Sequence, residues 1–208
     1  MSNFNLEHEL INQGYKTICG IDEAGRGPFA GPVSAAAVVL PIDVVIKGLD
    51  DSKKITSEKK RQALYEEIKE KAIDFGICMV HHDEIDEKGI LPCTFSAMRQ
   101  AVEQLKVKPD YLLIDGNLYR NFDDFEGRCV IGGDGLSLSI SAASILAKVT
   151  RDNYMNEQAI LYPAYGFEKN KGYGGAKQHQ QALLEFGPCP IHRMFYLRKF
   201  RAKNNCNW

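Results

Sequence analysis

The chain has 208 residues, 44% apolar and 25% charged, which is the size and composition of one soluble globular domain with a sizeable core. A formal net charge of −1 excludes an indiscriminate binder of polyanions. The longest apolar run, SAAAVVLPI over residues 34–42, is too short to span a bilayer.

The start, MSNFNLEHEL, is polar and mildly acidic and carries no export signal. Cysteines at 19, 78, 93, 129, 189 and 206 form no CxxC pair. Reduced thiols in a cytoplasmic protein are therefore expected, rather than zinc or a disulfide framework. Charge is unevenly spread. Residues 1–144 hold 16 Lys+Arg against 23 Asp+Glu, and residues 145–208 hold 10 against 4. The basic last third fits a polyanion-binding surface and a plain solvated surface equally well.

Residues 17–22 read as a buried strand and 33–40, rich in small residues, as a second. Asp50–Lys54 is a polar loop. Thr56 or Ser57 can N-cap a helix running to about Lys71. Residues 72–80 form a third strand. A helix from about Thr94 to Leu105 sets Phe95, Met98, Ala101, Val102 and Leu105 on one face, and Pro109 stops it. YLLID, 111–115, is a fourth strand, apolar enough to be central. Residues 128–134 form a fifth, followed by helices over about 140–158 and 176–186. Strands in succession, then strands alternating with helices, predict an α/β fold with a mixed sheet flanked by helices.

Three of these apolar strands end in acid: Asp22 with Glu23, Asp115, and Asp134, each followed closely by glycine (Gly25, Gly116, Gly135). Ligands gather outside the carboxyl ends of strands in open sheets. Converging carboxylates repel unless cations neutralise them. An all-oxygen set suits Mg²⁺ or Mn²⁺ and is what two-metal phosphoryl chemistry requires. Each acid alone reads as well as a helix N-cap or an exposed turn. Neighbours on a strand point to opposite faces, so Asp22 and Glu23 can share a site only if the strand breaks at Glu23.

Gly25-Arg26-Gly27-Pro28 lacks the Gly-Lys-Ser/Thr of a phosphate-binding loop. Its glycines suit close backbone approach to a ligand, for which a ribose hydroxyl is a candidate, and Arg26 suits a phosphate; a tight turn explains the stretch as well. In ISAASILAKVTRD, 140–152, Ala142, Ile145, Leu146 and Val149 form a buried stripe. Ser141, Ser144, Lys148 and Arg151 are expected on the opposite face, where a phosphate backbone or plain solvent fits. Tyr173 stands among glycines next to Lys171 and near Lys177, which suits stacking on a sugar or base and also a surface loop.

Seven collinear motifs resemble ribonuclease HII: Gly20-Ile21-Asp22-Glu23-Ala24-Gly25-Arg26-Gly27 with Gly31-Pro32; Asp51-Ser52-Lys53; Ile114-Asp115-Gly116; Gly133-Asp134; Ala142-Ala143-Ser144-Ile145 through Arg151-Asp152; Lys171-Gly172-Tyr173-Gly174; and Ile191-His192-Arg193. The resemblance covers nearly the whole chain. It implies an RNase H-like fold: a five-stranded mixed sheet, flanking helices and a small helical C-terminal region. Residues 1–208 would be one catalytic domain, with about 160–208 as its substrate-binding helical portion. It further implies a metal-dependent endoribonuclease using Mn²⁺ or Mg²⁺. Its substrates would be RNA/DNA hybrids and duplex DNA containing ribonucleotides, cut on the 5′ side of a single ribonucleotide to leave 3′-hydroxyl and 5′-phosphate ends.

The family's carboxylates fall on Asp22, Glu23, Asp115 and Asp134, its 2′-hydroxyl sensor on Gly25, Arg26 and Gly27, and its junction tyrosine on Tyr173. Lys53, Ser144 and Lys148 match contacts to the phosphate backbone. Gly132 replaces a lysine common in relatives, and 135–139 lacks a basic residue often seen there. A monomer with no membrane contact is expected. The sister ribonuclease HIII, a catalytically silent hybrid-binding module and a nucleotide-cofactor protein are the rivals. About 16 residues before the first strand leave no room for the extra domain usual in ribonuclease HIII.

Overall fold

A computed structural model describes residues 2–49, 55 and 57–208. Asp50–Lys54 and Thr56, and with them the candidate Lys53, lie outside the described residues. In chain order the elements are α1 (Asn5–Asn12), β1 (Ile18–Ala24), β2 (Val33–Val39), α2 (Glu58–Lys71), β3 (Asp74–Val80), α3 (His82–Lys88), α4 (Ile90–Glu103), β4 (Tyr111–Asp115), β5 (Gly127–Val130), α5 (Leu138–Leu161), α6 (Phe167–Asn170), α7 (Lys177–Phe186) and α8 (Met194–Asn204).

The sheet order is β3-β2-β1-β4-β5. β1 pairs antiparallel with β2, and β2 with β3. β1 pairs parallel with β4, and β4 with β5. The predicted five-stranded mixed sheet is therefore present. Both faces of β1 and β2 are covered, and that is why β2 is built of small residues. On one face Ile21, Ala35 and Ala37 pack with Phe95, Met98, Ala101 and Val102 of α4. On the other, Ala36 and Val38 pack with Ala142, Ile145, Leu146 and Val149 of α5 and with Leu64 and Ile68 of α2. Gly20 lets β1 and α5 approach closely. A Cβ there would lie 2.2 Å from the backbone of Ser139, so α5 lies directly on β1. A third cluster joins Ala30 and Met155 to Tyr165, Phe167, Leu183, Ile191 and Leu197 of the C-terminal region. No helix among the described residues is long and apolar enough to cross a membrane.

Several boundaries differ from the sequence expectation. β1 does not break at Glu23: its pairing with β2 continues through Glu23↔Ala35 and Ala24↔Ser34. β5 stops at Val130 rather than 134, because Gly132 turns left-handed (φ 65°) into a short 3-10 turn, Gly133–Gly135. α4 starts at Ile90, four residues early, since Pro92 is tolerated in a first turn. Helices α1 and α3 fall where the sequence reading places none, and α6 and α8 lie within the expected helical C-terminal region. Carboxylates on α1 and α3 cap helices far along the chain. Glu7 of α1, fully buried, accepts from the Ser137 hydroxyl (2.6 Å) and the Ser139 amide (3.0 Å) at the start of α5, where a carboxylate meets the positive end of a helix. Asp86 of α3 accepts from the amides of Met194 (2.6 Å) and Phe195 (3.0 Å) at the start of α8.

Candidate active site

Parallel pairing sets Ile21 beside Ile114, so the next residues, Asp22 and Asp115, emerge side by side. The turn after β5 brings Asp134 to them. One carboxylate oxygen from each of Asp22, Asp115 and Asp134 lies within 4.8 Å of the others. Asp22 and Asp134 are 3% and 4% exposed. The Gly133 amide donates to Asp115 Oδ1 at 2.7 Å, which ties the end of β4 to the turn that carries Asp134. The Ser141 hydroxyl donates to the Asp134 carbonyl at 2.5 Å and secures the same turn from α5. Asp134 thus closes no strand; a turn between β5 and α5 presents it.

Burial holds the Asp22 carboxyl well above its ordinary pKa, and the charges of Glu23 and Asp115 push it further; the Ser144 hydroxyl and the Glu23 amide oppose this. Packing three acids together with two nearly dry is unfavourable unless a cation joins them. An all-oxygen donor set fits a hard divalent ion. Adding Mn²⁺ to chelator-treated protein is expected to raise the melting temperature in a concentration-dependent way. Stabilisation of about 2.7 kcal/mol is expected at a hundred times Kd, read by thermal unfolding. No shift at any Mn²⁺ concentration would remove the metal assignment.

Glu23 does not join the three converging oxygens. It follows Asp22 on an unbroken strand, so it faces the other side of β1. There it lines a recess of about 40 Å³ with Arg26, Asp115 and Gly116, and it accepts from Arg26 Nη1 at 3.2 Å. Asp115 therefore borders both the trio and the Glu23 recess.

The chain reverses at Gly25 (φ +97°), where a Cβ would strike the Arg151 side chain at 2.1 Å. Two buried arginines hold the loop that follows. Arg151 donates to the carbonyls of Pro32 (2.9 Å), Ala30 (2.9 Å) and Lys171 (3.0 Å). Arg193 donates to Gly31 (2.9 Å), Arg26 (3.0 Å) and Gly25 (2.7 Å). This corrects the expected polar face of α5: Ser141, Ser144 and Arg151 are 0%, 3% and 1% exposed. The 25–32 loop covers Arg151, whereas Ser141 is buried on the Asp134 carbonyl and Ser144 against Asp22. Lys148 remains partly exposed, with Nζ 2.7 Å from Asp152 Oδ1. Lys171 is not free beside Tyr173; it is buried on Asn156 and the Glu168 carbonyl.

Tyr173 is 46% exposed and stands beside Gly27, whose Cβ, if present, would lie 3.9 Å from the ring. A chain of neutral imidazoles anchors its backbone. The Cys189 amide donates to His192 Nδ1 (2.9 Å), so His192 carries its proton on Nε2 and donates to His179 Nε2 (2.9 Å). His179 Nδ1 then donates to the Tyr173 carbonyl (3.1 Å). Burial lowers both imidazoles, His192 to about 4 with help from His179. Sequence reasoning missed the parts played by His179 and Arg193. The only signal was the Ile191-His192-Arg193 motif, which suggested no contact.

A family model described as Ribonuclease HII matches residues 19–200. The ribonuclease HII of Caldicellulosiruptor bescii is 51% identical over 195 residues, 94% of this chain and 93% of that protein. The one from Clostridioides difficile is 50% identical over 193 residues, 93% of this chain and 74% of that protein. Among solved structures, the ribonuclease H2 of Pyrococcus horikoshii matches with a TM-score of 0.71 at 23% identity, covering 92% of this chain and all (100%) of that one. The ribonuclease HII of Archaeoglobus fulgidus, solved in complex with PCNA, matches with a TM-score of 0.72 at 22% identity, over 86% of this chain and 94% of that one. A Bst ribonuclease HIII in complex with Mn²⁺ matches at 0.66 and 16% identity, over 92% of this chain and 71% of that one.

Proposed function

The chain belongs to the ribonuclease HII family, a family of metal-dependent ribonucleases H acting on RNA/DNA hybrids, and from that premise we propose that it also nicks duplex DNA on the 5′ side of a single ribonucleotide. The observation that carries this reading is the meeting of Asp22, Asp115 and Asp134 beside a glycine-arginine loop whose carbonyls are tied inward.

Asp22, Asp115 and Asp134, with Glu23 reached through Asp115, would hold two divalent ions, Mg²⁺ or Mn²⁺; the Bst ribonuclease HIII neighbour, solved with Mn²⁺, supports the choice. Bound there, such ions supply an activated water and stabilise the leaving oxygen of the phosphate. The 2′-hydroxyl is then no nucleophile and serves as a recognition mark. Gly25, Arg26 and Gly27 read it through backbone groups, and a site that hydrogen-bonds a hydroxyl rejects the analogue lacking it. Tyr173, half-exposed beside Gly27, packs on the adjoining sugar. Lys148 and Lys53 contact the strand. Ser144, buried against Asp22, serves the carboxylate rather than a phosphate. Residues from about 160 onward form the portion that grips the duplex. The protein works as a monomer in the cytoplasm.

The test is cleavage of an end-labelled DNA duplex carrying one ribonucleotide, with Mg²⁺ or Mn²⁺ and with chelator. One metal-dependent cut 5′ of the ribonucleotide, leaving 3′-hydroxyl and 5′-phosphate ends, is expected. Tyr173→Ala should lower the initial rate more on this duplex than on a continuous RNA/DNA hybrid. Equal losses on both would reduce Tyr173 to a general anchor.

A further inference from the structure

The guanidinium of Arg193 is fully buried and points all its bonds at loop carbonyls, those of Gly25 and Arg26 among them. The Tyr196 hydroxyl donates to the same Arg26 carbonyl at 2.8 Å. In a planar trans peptide the C=O and the following N–H point in opposite directions. Turning the carbonyls of Gly25 and Arg26 inward therefore turns the amides of Arg26 and Gly27 outward. Both residues are exposed, and Arg26 shares its recess with Glu23 and Asp115. A charged donor on a carbonyl also polarises its peptide and strengthens the N–H on the other end.

We propose that Arg193 and Tyr196 are positioning residues for ribonucleotide recognition: they preset the N–H groups of Arg26 and Gly27 as a pair of donors to the sugar hydroxyl oxygen. The proposal rests on the reading of this loop as the 2′-hydroxyl sensor. A free glycine-rich loop would sample many backbone orientations; donors fixed in advance bind without that ordering cost. Burial and the nearby Arg151 charge lower the Arg193 pKa to about 10, which leaves it a cation at neutral pH and able to act on the loop throughout the working range.

The test compares affinities for two matched duplexes, all-DNA and with one ribonucleotide, in Ca²⁺. Wild type is expected to prefer the ribonucleotide duplex. Tyr196→Phe should cut that preference roughly 2- to 10-fold, with the melting temperature and all-DNA affinity unchanged. Arg193→Lys should cut it roughly tenfold or more; if that variant does not fold, Tyr196→Phe decides. Preference kept in the variants, or equal weakening on both duplexes, would overturn the positioning role. A wild type without preference would overturn the 2′-hydroxyl reading itself, and the proposal with it.

Discussion

Asp115→Asn is expected to lower the rate of RNA/DNA hybrid cleavage by roughly three orders of magnitude, because a metal-held transition state is worth several kcal/mol and each 1.36 kcal/mol is tenfold. Asp115 borders both the oxygen trio and the Glu23 recess, so its charge counts on both sides. The amide preserves shape, and its oxygen can still accept from the Gly133 amide, so a fold defect is not the expected cause. The same substitution should raise the melting temperature in chelator. Asp115 is one of the charges that make an ionised Asp22 unfavourable, and removing it relieves repulsion that only metal offsets. Initial rates and thermal unfolding in chelator check the two halves. Wild-type turnover in the variant would dismiss the metal site.

Arg151→Leu is expected to destabilise the fold by about 4 kcal/mol, the mark of a buried network broken at its centre. Leucine leaves the carbonyls of Ala30, Pro32 and Lys171 without the donor that now serves them, and an unsatisfied buried group costs about 1–3 kcal/mol. Arg151→Lys should lose less, since a lysine offers a single donating head where arginine offers a fork. Urea unfolding measures both. A loss below about 0.5 kcal/mol would match an ordinary surface substitution and contradict the burial of Arg151.

The strands and acids of the site were legible because their signals are local. An apolar run that stops at Asp22 or Asp115 marks the strand and its carboxylate together. The buried stripe of α5 was legible for the same reason. Its opposite face was not: periodicity separates two faces of a helix but does not say whether something covers the second. Arg151 looks solvent-facing until a loop more than a hundred residues earlier in the chain folds over it, and Ser144 until Asp22 of β1 meets it. The pair Asp22-Glu23 invited a strand break because both acids suit one site. Ladder bonds to β2 cost less to keep, so the second acid went to the other face. The start of helix α8 was not legible because the carboxylate that caps it, Asp86, lies more than a hundred residues earlier in the chain.

The clamp on the glycine-arginine loop also sets an order of assembly during synthesis. β1, β2 and β3 pair antiparallel with their chain neighbours and can form as soon as they emerge. Asp115 and Asp134 arrive much later, and Arg193, which grips Gly25 across 168 residues, last of all. At translation speeds of about 5–20 residues per second, roughly ten to thirty seconds separate the glycine-arginine loop from its clamp. A nascent chain long enough to carry every acid would thus still lack the arginine that fixes the Gly25–Arg26 backbone. The acids can therefore meet before the glycine-arginine loop beside them is fixed, and that loop takes its final shape only once Arg193 has been made.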